Sequence, residues 1–319
     1  MSQTAKRILL LERNKLHLRR LTRVLVCTGA QVIPLESPAG LAGVLDDGVD
    51  VLCAGRTDAK AMLAILEKHP ETEGVVWSEK PESELLEMAA GRPNFNHILG
   101  TPTPHAPPRD WELLLTVRRL LGAPKPPLSA YLRWGYIGFQ EKVHSPEERD
   151  RIVEGISMFC ERLNTPARVR DMLGELAHEL LMNAMYDAPV DAAGQPLHAH
   201  DRKARITLSD EDAPTIRCAS DGLYVLISVV DRFGRLPREK IFGGMFRGLS
   251  QGTMDKSYGG AGLGMLYVYR STAISIFDVV EGGRTEVIGI YDLDLNQRTF
   301  RALPRSVHFF REQKVLSAT

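Results

Sequence analysis

The chain is poor in cysteine, aromatic residues, net charge and long apolar runs, and each shortage removes a class of protein. The four cysteines, Cys27, Cys53, Cys160 and Cys218, are scattered, with no Cys-x-x-Cys pair and no metal-site spacing. Three of them lie in apolar runs, where a thiol behaves as a small hydrophobe. This excludes a disulfide scaffold and points to a reducing cytoplasm. Lys plus Arg and Asp plus Glu both number 40, so the formal net charge is zero. No global field draws in nucleic acid or an anionic membrane. Aromatic residues make up 7% and are not interleaved with basic ones, so no stacking platform for nucleic acid is visible. The most apolar stretches, such as 223–230, are far shorter than the ~20 residues of a membrane-spanning helix. The N-terminus lacks the basic-then-apolar pattern of a leader. The expectation is a cytoplasmic protein with no membrane span and no nucleic-acid partner.

What remains is the mix of an ordinary globular protein, 44% hydrophobic and 25% charged over 319 residues, a length that suggests two domains. Residues 7–11, 31–35, 50–54, 74–77 and 97–99 are short apolar runs. They alternate with amphipathic stretches at 15–26, 38–45, 59–68, 82–90 and 111–121. This alternation predicts a (βα)5 unit, a doubly wound parallel sheet with helices on both faces and right-handed crossovers. Pro124, Pro126 and Pro127 then interrupt any helix. The expected division is a domain at 1–122, a linker at 123–140 and a second domain at 141–319. The second domain opens with helices at 146–163 and 166–186, the latter with Asn164 or Thr165 as N-cap and Pro166 in the first turn. Strands are expected at 204–208, 215–219, 223–230, 273–280 and 285–291, with a helix from about Leu263. Helices first and then mostly consecutive strands predict an α/β sandwich.

The segment richest in chemistry is Glu175-Leu-Ala-His178-Glu179-Leu-Leu-Met-Asn183-Ala-Met-Tyr-Asp187. Glu179, Asn183 and Asp187 follow an i, i+4, i+8 spacing and share a helix face. Leu173, Ala177, Leu180, Leu181 and Ala184 fall on another side, free to pack on a sheet. A carboxamide oxygen is a hard ligand suited to Mg²⁺, and a neighbouring carboxylate can position or deprotonate water or a hydroxyl. Two later segments give the pattern weight. The apolar run 226–230 ends in Asp231-Arg232-Phe233-Gly234, a carboxylate at a strand end that can accept from an adenine amine. Gly259-Gly260-Ala261-Gly262-Leu263-Gly264-Met265 precedes an apolar helix. Glycines admit phosphate to the backbone amides, and the helix N-terminus adds partial positive charge.

Glu179-x-x-x-Asn183, Asp231, Gly260-x-Gly262-Leu263-Gly264 and Thr285 together resemble the N, G1, G2 and G3 boxes of the GHKL ATPases over about residues 140–300. That resemblance implies a Bergerat-type sandwich with ATP and Mg²⁺ held between a helical layer and a lid. It implies that Asn183 ligates Mg²⁺ and that Glu179 is the catalytic base or holds a metal-bound water. Asp231 would read the adenine amine and Thr285 would support it. Gly234 would belong to the adenine turn, and Gly260, Gly262, Leu263 and Gly264 to the phosphate loop. The lid would be 242–258, with Lys256 as a phosphate contact. One departure stands out: the family's Asp-x-Gly-x-Gly reads Asp231-Arg232-Phe233-Gly234-Arg235 here.

The N-terminal domain resembles response-regulator receivers in layout. Yet it offers Glu12, Arg13 and Asn14 after the first strand, Gly55-Arg56 at the end of the third, Ser78 after the fourth and Gly100-Thr101-Pro102 at the end of the fifth. The phospho-accepting Asp and the Lys before the proline are missing, which makes it a pseudo-receiver suited to protein contacts. His198-Ala199-His200-Asp201 reads as a solvated loop rather than a metal cluster. His178 lies inside the Glu/Asn helix, with no separate phosphorylation helix pair, so a histidine autokinase is disfavoured. The expected function is a bacterial signalling protein whose ATP–Mg²⁺ site acts as a switch on a regulatory protein partner, with room for a homodimer. The alternatives are a serine/threonine kinase or ATPase similar to the anti-sigma-factor kinases, and a nucleotide-free scaffold.

Overall fold

The computed structural model describes residues 5–45, 48–80, 83–133, 135–191, 193–250 and 261–313 of a mixed α/β protein. The chain divides into two compact units, one of Met1–Tyr131 with Arg298–His308, the other of Leu132–Gln297 with Phe309–Thr319. This differs from the expected division in two ways. Residues 123–131 belong to the first unit, and 298–308 return to it.

In the first unit, β1 (Arg7–Leu11), β2 (Gln31–Leu35), β3 (Val51–Gly55), β4 (Glu73–Ser78) and β5 (Phe95–Gly100) form a parallel sheet in the order β2-β1-β3-β4-β5. The helices between and after them are α1 (Lys15–Val26), α2 (Ala42–Leu45), α3 (Ala59–Leu66), α4 (Ser83–Ala90) and α5 (Asp110–Leu120). Asn14 starts α1 by accepting the Leu16 and His17 amides at 3.0 and 3.2 Å, which satisfies donors the helix itself leaves unpaired. Leu18, Leu21 and Leu25 recur at helical spacing and pack with Leu113 and Val117 of α5 on Ile8, Leu10 and Cys53. The expected helix at 38–45 shrinks to a 3-10 turn at Pro38–Gly40 and the single turn of α2, since Gly40 and Gly43 disfavour helix. A return strand, Ser306–Glu312, was not foreseen; its Val307 and His308 pair antiparallel with Ile98 and His97. Its alternation is disguised by a buried polar cluster. His308 Nε2 lies 3.0 Å from Glu112 Oε1, and the His97 and His308 Nδ1 atoms are 3.3 Å apart.

The second unit contains β6 (Ile137–Lys142), α6 (Pro146–Arg162), α7 (Ala167–Met182), β7 (Thr215–Ser220), β8 (Tyr224–Asp231), α8 (Arg238–Ser250), α9 (Ala261–Ser271), β9 (Ile274–Val280) and β10 (Arg284–Asp292). Its sheet runs β9-β10-β8-β7-β6 with antiparallel pairs throughout. Leu173, Leu176, Ala177, Leu180 and Leu181 bury one side of α7. The helix comes close to the sheet at Gly289, where a Cβ would stand 3.1 Å from Leu176 Cδ2. Pro166 itself is the N-cap of α7, while Asn164 takes the left-handed conformation (φ 56°) that closes α6.

Two expectations fail here for physical reasons, and part of a third falls on a helix. Residues 204–208 pair with no strand; Ile206 and Leu208 alternate because both are buried as part of a loop. Residues 137–142, placed in the linker, form β6, an exposed strand whose polar pattern hides it. Residues 242–250 of the expected lid lie within α8, where Ile241, Phe242 and Met245 are buried. Gly248 serves close helix packing, since a Cβ there would meet Leu266 Cδ2 at 2.5 Å. The rest of the lid, with Lys256 and Gly260, lies outside the described residues.

Candidate functional site

The Glu/Asn helix does not stay α-helical to its end. At Asn183–Asp187 it widens into a π turn, marked by the Ala188 amide donating to the Asn183 carbonyl at 2.9 Å. Such turns recur at functional sites. A continuous α-helix would rotate Asp187 by about 80° from Glu179 over eight residues; the wider turn reverses part of that drift. As a result Glu179, Asn183 and Asp187 converge on one group, the guanidinium of Arg202. Arg202 Nη2 donates to Asn183 Oδ1 at 3.0 Å and lies 3.5 Å from Glu179 Oε1, and Nε lies 3.6 Å from Asp187 Oδ1. Burial pushes the Glu179 carboxyl above its ordinary range, against the pull of Arg202. Glu179 Oε1 and Asn183 Nδ2 are buried and make no hydrogen bond among the described residues.

Asp231 closes β8 directly opposite Thr285 of β10. One carboxylate oxygen accepts the Phe233 amide at 2.8 Å. Burial raises its carboxyl pKa to about 6, offset in part by backbone amides. Beside it, the Thr285 hydroxyl is buried, and its interaction with the Asp231 carboxylate also opposes that rise. Asn183, Asp187, Asp231 and Thr285 line a single cavity of about 70 Å³, walled by Leu180 and Val287. The helix motif and two strand ends, far apart in sequence, are therefore brought together.

Gly262 and Leu263 lie in the first turn of α9. Gly264 abuts the site, since a Cβ there would collide with Glu179 Oε1. The Tyr267 hydroxyl holds α9 against α7 by donating to Glu175 Oε2 at 2.5 Å and the Met172 carbonyl at 3.2 Å. Gly234 does not line the Asp231 cavity. It lines a separate cleft of about 1180 Å³ and, at φ 61°, packs on the turn between β9 and β10, where a Cβ would strike the Val280 carbonyl oxygen. Its role is backbone geometry, with Phe233 occupying the preceding position. Two cations were missed in the sequence. Lys240 in α8 lines the Asp231 cavity, and Arg202 belongs to a loop whose composition gives no motif. The oxygen set of Glu179, Asn183 and Asp187 suits a hard divalent cation chemically, and the buried Glu179 Oε1, an acceptor without a hydrogen bond among the described residues, fits it, whereas Asn183 Nδ2 is a donor and adds nothing.

At the C-terminal ends of β1, β3 and β4 the first unit has a cavity of about 280 Å³. Asp58, 4% exposed, is gripped there by Arg13 Nε and Nη2 at 2.9 and 2.6 Å. Ser78 Oγ is engaged with the backbone of Lys80. A Cβ at Gly55 would meet Trp77 Nε1 at 3.2 Å. Among the described residues no group of three or more His, Cys, Asp and Glu side chains converges as a metal site, His198 and His200 included. Nor is any described helix long and apolar enough to cross a membrane.

No protein-family model matches the sequence, and no curated protein matches it. Among solved structures, the chain is similar to the signal receiver domain of an HD domain-containing protein from Pseudomonas fluorescens Pf-5. The identity is 23% over 37% of this chain and 94% of that one, with a TM-score of 0.32. It is also similar to the SiaB–SiaC complex from Pseudomonas aeruginosa, at 15% identity over 48% of this chain and 88% of that one, with a TM-score of 0.31.

Gly234→Ala places a Cβ at φ 61° against a backbone oxygen. Stability is expected to fall by at least the roughly 1–3 kcal/mol of a strained left-handed residue, measured by urea unfolding. An unchanged midpoint would refute the backbone role.

Proposed function

We propose that the second unit is a nucleotide-binding module of the GHKL kind, and that ATP with Mg²⁺ acts through it as a switch on a regulatory protein partner. The observation that carries this reading is the shared cavity of Asn183, Asp231 and Thr285. In this reading Asp231 accepts from the adenine amine with its ionised carboxylate, and the Thr285 hydroxyl beside it supports that carboxylate. Gly262, Leu263 and Gly264 open the helix whose N-terminus faces phosphate, with Gly260 and Lys256 upstream. Asn183 is the metal ligand, and Lys240 adds positive charge at the cavity wall. A cavity of about 70 Å³ holds a few waters, far less than a nucleotide. Entry therefore has to move its walls, which include the first turn of α8, and occupancy becomes coupled to shape. That coupling favours the switch.

A second reading, a kinase acting on a serine or threonine hydroxyl, is favoured by Glu179. Its carboxyl is buried and its pKa raised, as a general base requires. For the first unit we propose a receiver-like domain that no longer takes phosphate and serves protein contact. Gly55 ends β3 without a carboxylate, and Asp58 is committed to Arg13.

ATP with Mg²⁺ is expected to raise the thermal midpoint, by an amount equivalent to about 2.7 kcal/mol at a hundredfold excess over Kd. Asp231→Asn should remove most of that gain. Because burial raises the Asp231 carboxyl pKa from 3.8 to about 6, the nucleotide-free fold binds this proton more tightly than the unfolded chain does. Its contribution to stability is full below the unfolded value and is lost as pH rises through about 6. Nucleotide affinity runs the other way, falling as pH drops through that value, and the Asn variant should show no such dependence. Absence of any midpoint shift at millimolar ATP would leave the motif without a ligand.

Glu179→Ala leaves the Asn183 ligand in place and should keep ATP binding measured without Mg²⁺ under both readings. For a kinase or ATPase it should cut turnover by about 10²–10⁴, the usual worth of a general base. For a switch, wild-type turnover is already low, and ATP still protects 242–250 from hydrogen exchange in the variant. Wild-type turnover near 1 s⁻¹, a low-end enzyme rate, would decide for the enzyme.

Small phosphodonors should leave residues 1–122 unmodified by intact-mass analysis. A base-labile phosphate on that domain would sink the receiver-like assignment without phosphotransfer.

A further inference from the structure

The oxygens that suit a divalent cation already face a cation supplied by the chain. Glu179, Asn183 and Asp187 surround the Arg202 guanidinium at 3.5, 3.0 and 3.6 Å. A metal bound by the same oxygens sits ~2.1 Å from each, inside the space those three distances give to the guanidinium. The two occupants exclude each other sterically and by like charge. The charge count points the same way. Two carboxylates and a neutral amide carry two negative charges, which one divalent cation matches, whereas one guanidinium leaves a negative charge over.

The position of Arg202 is built. The Tyr186 hydroxyl, in the π turn, donates to the Ala204 carbonyl at 2.8 Å, two residues from Arg202. The Tyr186 ring meets His198 edge-on at 6.5 Å. Asp201 shapes the turn by accepting the Lys203 amide at 3.0 Å. Further back, the Gly194 carbonyl accepts Arg235 Nη1 at 2.7 Å, and Val190 bridges to Pro196. The loop that carries Arg202 is thus fastened to the helix carrying the three oxygens and to the segment that follows Asp231.

We propose that Arg202 is a resident counter-cation that competes with a divalent metal for Glu179, Asn183 and Asp187, so that the site takes metal only as the 188–206 loop lets go. This rests on the reading of Asn183 as a metal ligand but not on nucleotide binding.

The test is calorimetric titration of Mn²⁺ into the full-length protein without nucleotide. Arg202→Ala should bind about tenfold or more tightly than wild type, since a unit charge a few ångströms from the metal is removed. Asn183→Ala in the Arg202→Ala background should reverse the gain. In the wild-type protein, saturating Mn²⁺ should raise hydrogen exchange in 188–206. Should Arg202→Ala fail to fold by circular dichroism, Arg202→Gln, which keeps length and loses charge, is judged by the same criterion. Equal or weaker Mn²⁺ binding in the folded variant overturns the proposal. If ATP gives no thermal shift in any variant while Mn²⁺ still tightens, the nucleotide reading fails and the counter-cation stands. If ATP shifts the wild type and Mn²⁺ does not tighten, the reverse holds.

Discussion

The candidate site depends on the antiparallel pairing of β8 with β10. The register that sets Thr285 against Asp231 brings the end of one strand to the start of another and places both at the edge of one cavity. Slipping that register by one residue would turn Asp231 and its neighbours to the opposite face. Each strand is buried along nearly its whole length, in Val225 to Val229 and Val287 to Tyr291, so the apolar surface enforces the pairing and the polar ends follow. The polar groups of this cavity are positioned by hydrophobic burial a few residues away from them.

Burial has an electrostatic counterpart. Asp231 and Glu179 are carboxylates removed from water, and both hold their protons more tightly for it. A site with carboxylates in that condition is lowest in free energy when something positive or protic approaches. Asp231 is partly relieved by the Phe233 amide, and Glu179 and Asp187 by Arg202. The Glu179 carboxylate also abuts the N-terminal turn of α9 at Gly264, where helix termini favour anions.

The strands of the first unit and the principal helices of the second were legible because their side chains repeat at two or about three and a half residues over buried faces. Leu18, Leu21 and Leu25 and the run from Val225 to Val229 are such cases. Elements were missed where polar residues occupy those positions. β6 is exposed except at half-buried Phe139, and the Ser306–Glu312 strand carries the buried His308 paired with Glu112. The glycines of α8 suggested a lid because their packing partner, Leu266 of α9, is remote in sequence. Within the cavity region, Glu179 and Asn183 were legible from helical spacing and Asp231 from its place at a strand end, whereas Thr285 came only from the resemblance to the GHKL boxes. Arg202 was not, since a single arginine in a polar loop carries no periodicity, and only the folded course of 188–206 brings it to α7. Gly234 stays in the turn after Asp231, where its φ and its contact with Val280 show a backbone requirement.

The return of Arg298–His308 to the first unit has a consequence for how the protein is made. Domains emerging from a ribosome ordinarily fold in order of synthesis. Here the first unit lacks its returning strand until Ser306–His308 has been translated, after all of Leu132–Gln297. Throughout synthesis of Leu132–Gln297, the β5 edge that pairs with Val307 and His308 stays open, with the imidazole of His97 short of its partner. A nascent chain in that state presents an unpaired strand of the kind chaperones recognise. Termination between Tyr131 and Ser306 leaves a fragment with that edge exposed.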